Sequence, residues 1–573
     1  MNLFDKHRER FERAMQACDT RECWSPFPEM PNKYPDAVNA QARGKCAFEA
    51  HLNRPFGLDQ AGLRAGTARL GNEVSPYTGA PLGITYAQAD LDALFAAAEA
   101  AIGQGWGAAE PKTRVGVLLE VIEVLYQRIF EVSFAVMHTA GQSFNMSYAG
   151  SGVNALDRGI EALVYAHRAM AGVARRATWT RQFGAAGITL DKTYRLMPRG
   201  VAACFTCASF PTWNAWPSMM ASLATGNAVI VKPHPATILP MALSVEVFRG
   251  TLRAAGFDPD LVTLAVDSPE APIGKQIVKH PRAAIIDFTG SVRFGQWVEQ
   301  HAHPAIAFTE TAGVNTVVLE SCDDLPAVLR SLATTLCMFS AQMCTSPQNI
   351  YLPATGVKVG RGADARVVPA DEVTRQLAAA VAALVEEPRK AAMILATIQS
   401  AQTLALLAEM REAGAQAGRV LLDSRSYAHP EYPQARTATP LMLGVTTRER
   451  ALYGEERFGP ISFCIETLDR DDALAHATRD VKQFGGLTAF LYSTDEVFVA
   501  RAEDAYAQAG AQLTINLTGP MPLNFAAAYS DYHVTGLNPA GNAALTDAAF
   551  VASRFRITQS RRPASQTDSG EPA

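Results

Sequence analysis

The chain lacks any apolar run of the roughly 18 residues that a membrane-crossing helix needs, so no membrane span is expected. Its first residues, MNLFDKHRERFERAMQ, lack the apolar core of a secretory signal, and Asp5, Glu9 and Glu12 set them apart from acid-poor mitochondrial presequences. Long basic runs are missing too. Lys and Arg number 51 against 56 Asp and Glu, a net charge of -5, which gives no reason to expect nucleic acid or an anionic membrane as partner. Cysteine is sparse, nine in 573 residues, an odd count in a long chain with no export signal. Reduced thiols in a cytoplasmic protein are expected. No second Cys-x-x-Cys or Cys/His pair accompanies Cys204 and Cys207 in VAACFTCASFP, so the pair reads as part of a buried strand rather than half a zinc site. No internal repeat is present.

What remains is ordinary globular composition, 48% hydrophobic and 19% charged, over a length that suggests more than one domain. Residues 1 to about 70 read as helix, loop, helix, with CWSPFPEMPNKYP lying over a surface. NEVSPYTGAPLGITYAQ carries a strand-turn-strand pattern punctuated by Pro76, Gly79 and Pro81. From about 88 to 172 apolar residues recur at helical spacing. The middle then alternates short apolar runs (GVAACFTCA, GNAVIVKP, LVTLAV, AAIIDFTG, AIAFTE) with amphipathic helices such as TILPMALSVEVFRGTLRAAG. A second alternation over roughly 313–530 contains NTVVLE, SPQNIYLP, a long helix near 371–386, GPISFCIETL and LTAFLYS. AAFVASRFRITQSRR predicts a last helix and strand, and PASQTDSGEPA a disordered tail. This alternation predicts an α/β fold with parallel sheets covered on both faces, whose ligands bind beyond the carboxyl ends of the strands.

Several motifs fall at such strand ends. FSAQMCTSPQ sets Cys344 among small and polar residues rather than the aliphatic neighbours of an inert core cysteine. Nucleophile, metal ligand, redox thiol and core residue are all open from the residues alone. Asn214 in FPTWNAWPS is as good a turn former beside Trp213 and Pro217 as it is a donor. Glu310 in FTETAG follows the apolar run AIAF, an unattractive place for a solvated carboxylate. FTGSVRFG turns from strand into helix at Gly290, Ser291 and Gly295, which suits a pyrophosphate or a plain helix start. Lys232 ends the strand in ATGNAVIVKPHPAT, and EERFGPISF carries Glu456 and Phe458.

In this order the motifs resemble the aldehyde dehydrogenase superfamily over roughly residues 70–560. CWSPFPEMP, GKCAFEAHLNRPF, CTSPQNIYLP and NLTGPMPLNF are similar to its phenylacetic acid degradation (PaaN) type. The resemblance implies an aldehyde-dehydrogenase-like α/β fold: an N-terminal extension (1–70), a Rossmann-type cofactor-binding domain (71–312) with an oligomerisation hairpin at about 176–197, a catalytic domain (313–532), and a C-terminal oligomerisation strand with a polar tail (533–573). It implies oxidation of an aldehyde to an acid with NAD(P) and no metal. The Cys344 thiolate, nucleophilic and adjustable in pKa, would add to the carbonyl. Asn214 and the Cys344 N–H would hold the oxyanion, each donor being worth about 3–4 kcal/mol. After hydride leaves for the nicotinamide, Glu310 would activate water against the thioester. Lys232, Trp213, Gly290, Ser291, Gly295, Glu456 and Phe458 are the expected cofactor-binding residues.

Departures from the family pattern sharpen the expectation. NAD preference usually comes with an acid that binds the ribose 2′-hydroxyl, often as K-P-x-E. KPHP puts Pro235 in that place, so NADP is the expected cofactor, with NAD as the alternative. Retention of Glu310 predicts release of a free acid without coenzyme A. The PaaN resemblance implies a semialdehyde of aerobic phenylacetate degradation, CoA-linked forms included, with ring opening left to another protein because no hydratase domain follows. Another aliphatic or aromatic aldehyde, or a noncatalytic protein that kept the fold, are the alternatives. INLTGPMPLNFAAAYSDYHVTGLN differs from the Gly-rich loop the family often carries near the substrate entrance. Exposed edges on the hairpin and on RFRITQSRR predict a homodimer or a dimer of dimers.

Overall fold

The computed structural model describes residues 2–64, 66–544 and 547–564. From Ser565 onward, the tail expected to be disordered lies outside the described residues. Five apolar runs of the middle region form one parallel sheet in the spatial order Val262–Leu264, Ala228–Lys232, Val201–Phe205, Ala283–Thr289, Ile306–Glu310. Helices Ala215–Ala224, Ile238–Ala254, Gly274–Val278 and Val292–His301 connect them in succession. Val201–Phe205 and Val262–Leu264 are buried at every position, as strands covered on both faces must be, which is why they read as continuous apolar runs. The winding reverses beside Val201–Phe205, so a crevice opens beyond Phe205 and Thr289.

The second alternation forms a seven-stranded sheet in the order Arg419–Leu422, Leu441–Thr446, Ile461–Thr467, Pro347–Pro353, Asn315–Leu319, Thr488–Tyr492, Gln512–Ile515. Only the edge strand Arg419–Leu422 pairs antiparallel. The expected hairpin and final strand meet as an antiparallel sheet of Arg176–Phe183, Ala186–Pro198 and Phe555–Pro563, with Phe183, Ile188, Met197 and Ile557 exposed. The strand-turn-strand pattern of 72–92 is realised only as the two-residue strands Arg69–Leu70 and Tyr86–Ala87 and a bridge from Val74 to Pro81. Turn residues leave too few ladder positions between them for longer strands.

The N-terminal segment is not peripheral to the core. Helices Arg8–Thr20 and Ala37–Glu49 bury Phe11 and Phe48 in the same cluster as the first sheet. A Cβ on Gly44 would stand 2.4 Å from Phe130 Cβ, so glycine is what lets Ala37–Glu49 lie against Ile129–Ala140. Phe27 of the Pro-rich stretch stacks on Tyr126 at 4.2 Å. Residues beyond 525 also return to this core through Tyr529, Val534, Ala540, Phe550 and Val551. Arg554 anchors the return. Its guanidinium pairs with the buried Asp287 carboxylate and lies over the rings of Phe308 and Phe550 at 4.4 and 4.1 Å. Among the described residues no helix is long and apolar enough to cross a membrane.

Candidate active site

Cys344 sits between helix Leu325–Cys337 and the central strand Pro347–Pro353. Before it, Phe339, Ser340 and Ala341 hold φ of +47°, +49° and +50°. Left-handed backbone costs an L-residue about 1–2 kcal/mol, so the run persists only because the loop is tied down. Ser340 Oγ donates to the Leu395 carbonyl (2.9 Å), Gln342 Nε2 to the Thr397 carbonyl (2.8 Å), and Gln399 N–H to Gln342 Oε1 (2.9 Å). Behind the cysteine, Asn315 Nδ2 donates to the carbonyls of Cys344 and Ser346 at 2.8 and 2.9 Å, while its Oδ1 accepts from the N–H groups of Leu487 and Thr488. One buried amide thus fixes the Cys344 loop to two strands. Cys344 lines a cavity of about 1310 Å³.

The carboxyl edge of the first sheet supplies the facing groups. Glu310 ends the strand Ile306–Glu310 and is fully buried. Its Oε1 accepts a hydrogen bond from Asn214 Nδ2 at 3.1 Å and lies 3.0 Å from His533 Nε2. The same Nε2 is 3.3 Å from Cys344 Sγ. Cys344, Glu310 and His533 each offer an atom within 4.8 Å of the others. Trp213 packs on His533 with ring centroids 4.4 Å apart, and the Arg158 guanidinium lies 5.2 Å over the Trp213 ring. Burial, then the Glu310 charge, push the Cys344 thiol well above its ordinary value. Asn214 Oδ1, Glu310 Oε2 and His533 Nδ1 are buried without a hydrogen-bond partner.

The crevice beyond the strands carries the remaining expected residues. Lys232 closes the strand Ala228–Lys232, and its Nζ lies 2.7 Å from Asp267 Oδ1. Asp267, just past Val262–Leu264, is buried, and its Oδ2 accepts the Ile273 N–H at 3.1 Å. Burial lowers the Lys232 pKa while Asp267 opposes the shift. His234, exposed beside Lys232, accepts the Ala236 N–H through Nδ1 at 3.2 Å. Ser291 lines the cavity at the N-terminus of helix Val292–His301. Gly290 is not an anion donor through its N–H, which is spent on the Glu310 carbonyl at 3.1 Å. It is a point of close approach, since a Cβ there would meet Phe288 Cζ at 2.7 Å. A Cβ on Gly295 would stand 2.6 Å from Thr311 Cγ2, so glycine is what lets the helix pack closely there. Trp213, Glu456 and Phe458 line the cavity. Burial pushes the Glu456 carboxyl up to about 8.

A family model described as the aldehyde dehydrogenase family matches residues 65–522. The chain belongs to the aldehyde dehydrogenase family. An NAD-dependent aldehyde dehydrogenase from Burkholderia multivorans is similar in structure, with a TM-score of 0.94 and 42% identity over 99% of this chain and 100% of that one. The 1-pyrroline-5-carboxylate dehydrogenase 2 of Bacillus subtilis is 25% identical over 439 residues, 72% of this chain and 75% of its own. The match to FUS7 of Gibberella fujikuroi, 28% identical over 325 residues, covers 56% of this chain and 62% of that one, so it spans less than two thirds of that relative.

In this aldehyde dehydrogenase the dinucleotide fits the residues present. A glycine approach, a helix N-terminus, a Lys–Asp pair and the rings of Phe205, Phe288 and Phe294 line one side of the cavity, and Glu456 with Phe458 lines it too. Sequence reasoning missed Asp267 and His533. Asp267 had a signal, an acid closing the run LVTLAV at a carboxyl edge. The signal for His533 was only that its segment departs from the family's loop. Cys204 is buried within its strand as expected, whereas Cys207 lies past the strand end and lines the cavity, its Sγ 3.4 Å from the Phe210 carbonyl.

Proposed function

We propose that the enzyme oxidises an aldehyde to a free carboxylic acid with NAD, without coenzyme A. The placement of Glu310 within the Cys344 cluster carries the reading, because a carboxylate there can take a proton from the water that cleaves a thioester. Addition of Cys344 to the carbonyl gives an oxyanion, for which Asn214 Nδ2 and the Cys344 N–H are the donors. Asn214 must then share or leave its present bond to Glu310. The bound nicotinamide supplies the two-electron acceptor, and Lys232, Asp267, the helix start at Ser291, Glu456 and Phe458 would hold the dinucleotide.

The choice of NAD over NADP follows from Asp267. The expectation of NADP rested on Pro235 leaving no acid beside Lys232, but the Asp267 carboxylate, distant in sequence, stands 2.7 Å from Lys232 Nζ. It would accept a ribose hydroxyl and repel a 2′-phosphate. The similar Burkholderia multivorans enzyme is described as NAD-dependent, which supports this choice. For the substrate we keep the semialdehyde of aerobic phenylacetate degradation, CoA-linked forms included, on the segments that resemble the PaaN type. The exposed apolar residues of the Arg176–Phe183, Ala186–Pro198, Phe555–Pro563 sheet support assembly into a homodimer or a dimer of dimers.

An aldehyde panel that includes CoA-linked semialdehydes, assayed with NAD and NADP in the presence and absence of free coenzyme A, tests the reading through reduced-cofactor absorbance and product mass. Free acid formed with NAD alone is expected. Strict dependence on free coenzyme A would refute it. Glu310→Gln is expected to give one burst of reduced cofactor per active site and then stall.

A further inference from the structure

The centre poses an electrostatic difficulty. Cys344 is half-buried with the Glu310 carboxylate beside it, and desolvation followed by that charge pushes its thiol well above its ordinary value, so a thiolate needs a compensating charge. His533 stands where that charge is needed. Its Nε2 is 3.3 Å from Cys344 Sγ and 3.0 Å from Glu310 Oε1, and its side chain is 4% exposed. His533 lines the cavity. The segment is held in place. Arg158 Nη1 donates to the Asp531 carbonyl at 2.7 Å, and the Thr311 N–H donates to the Ala540 carbonyl at 2.7 Å. Asn538 Nδ2 donates to the carbonyls of Gly486 and Gly510, both at 2.8 Å.

We propose that His533 is a catalytic residue that carries a proton at Nε2 between Cys344 and Glu310 and so keeps the nucleophile as a thiolate. The Cys344 S–H bond breaks, its electron pair stays on sulfur, and an N–H bond forms at Nε2. Glu310 Oε1 accepts the hydrogen bond of that N–H. Nothing is oxidised or reduced, and no co-reactant is needed. One imidazolium then lies between two anions, with the Trp213 ring adding a favourable contact to the cation. This is not the arrangement of a nucleophile–histidine–acid triad, in which the acid binds the other ring nitrogen. Sulfur and carboxylate share one nitrogen, so Glu310 balances charge, and Trp213 with the tied segment sets the ring. Because cleavage of a thioester expels the thiolate directly, the Nε2 proton is not consumed in a turnover.

The titratable groups facing the sulfur from other elements are Glu310, Cys207 and Glu456, with Arg158 beyond Trp213. On the histidine's own segment, Asp531 Oδ2 accepts the Ala527 N–H, and the Tyr532 hydroxyl is bonded to Arg21. The inference rests on Cys344 as the nucleophile. Its test uses neither aldehyde nor oxidised cofactor, so failure here and failure of the proposed activity are separate results.

Alkylation of Cys344 by iodoacetamide, followed on the full-length protein by peptide mass spectrometry across pH, reads the thiolate. Wild type is expected to reach its half-maximal rate below the ordinary thiol value of 9.0. In His533→Gln that midpoint is expected to rise by about one pH unit or more, slowing alkylation at neutral pH about tenfold. NADH affinity, read by fluorescence, is expected to be unchanged. A His533→Gln profile that superimposes on wild type overturns the proposal. Should that variant not fold, the ultraviolet thiolate absorbance that Cys344→Ala removes decides the matter in the wild-type protein. Its appearance below 9.0 supports the proposal, and its appearance only above 9.0 overturns it.

Discussion

Asp267→Asn is expected to move the enzyme from NAD toward NADP, and the structure gives the size of the change. The buried carboxylate, 2.7 Å from Lys232 Nζ, would accept a ribose hydroxyl. A hydrogen bond to a charged group contributes about 1.5–3 kcal/mol, so its loss lowers kcat/KM for NAD by about 10- to 100-fold. A 2′-phosphate in place of that hydroxyl would stand about 4 Å from the carboxylate, where two unit charges repel by about 4 kcal/mol at an effective dielectric of about 20. Lys232 attracts the phosphate equally in both proteins and leaves the difference unaltered, while ionic screening in the open cavity reduces the gain to about 2 kcal/mol, about 30-fold. The ratio of kcat/KM for NAD to that for NADP should therefore fall by roughly 300- to 3000-fold. Initial rates with one aldehyde and both cofactors measure it. Lys232→Ala added to Asp267→Asn should reduce the NADP gain, because it takes away a cation lining the cavity that attracts the phosphate. A ratio unchanged in Asp267→Asn, with NADH still bound, would refute the reasoning.

Asn214→Ala removes one oxyanion donor and is expected to lower kcat by about 10²–10³ with little change in KM, measured by steady-state kinetics. Arg554→Ala leaves Asp287 buried and uncompensated beneath the returning C-terminal segment. It should cost about 3–5 kcal/mol of stability, read by urea unfolding. Glu73 is buried, accepts hydrogen bonds from Tyr86 and the Leu239 N–H, and has its pKa raised from 4.5 to about 7 by burial. In that window the folded chain holds a proton that the unfolded chain has released. Its contribution is full below 4.5 and is lost as pH rises through about 7, a change of about 3 kcal/mol. Glu73→Gln should flatten that decline in unfolding curves taken across the window.

Local signals were enough for the elements. The buried strands declared themselves as apolar runs between Gly and Pro, and the final helix and strand appear as Ala548–Ala552 and Phe555–Pro563. Cys344, Asn214 and Glu310 converge as the motif order implied, because each closes or follows an element whose boundary is legible. The close packing of Gly295 against Thr311 was not legible, because spacing alone does not show which glycine admits a neighbouring side chain. The strand pattern of 72–92 failed because turn residues crowd it.

By itself the sequence determined the alternating α/β architecture and the family, and it singled out Cys344, since these depend on periodicity and on residues a few positions apart. Only the tertiary structure decided what surrounds Cys344 and the crevice beyond the first sheet. Asp267 reaches Lys232 from the next strand of the sheet, and His533 reaches Cys344 and Glu310 from a segment that follows the whole second sheet. Electrostatic interaction depends on distance in space and on burial, and neither is written in the spacing of residues along the chain.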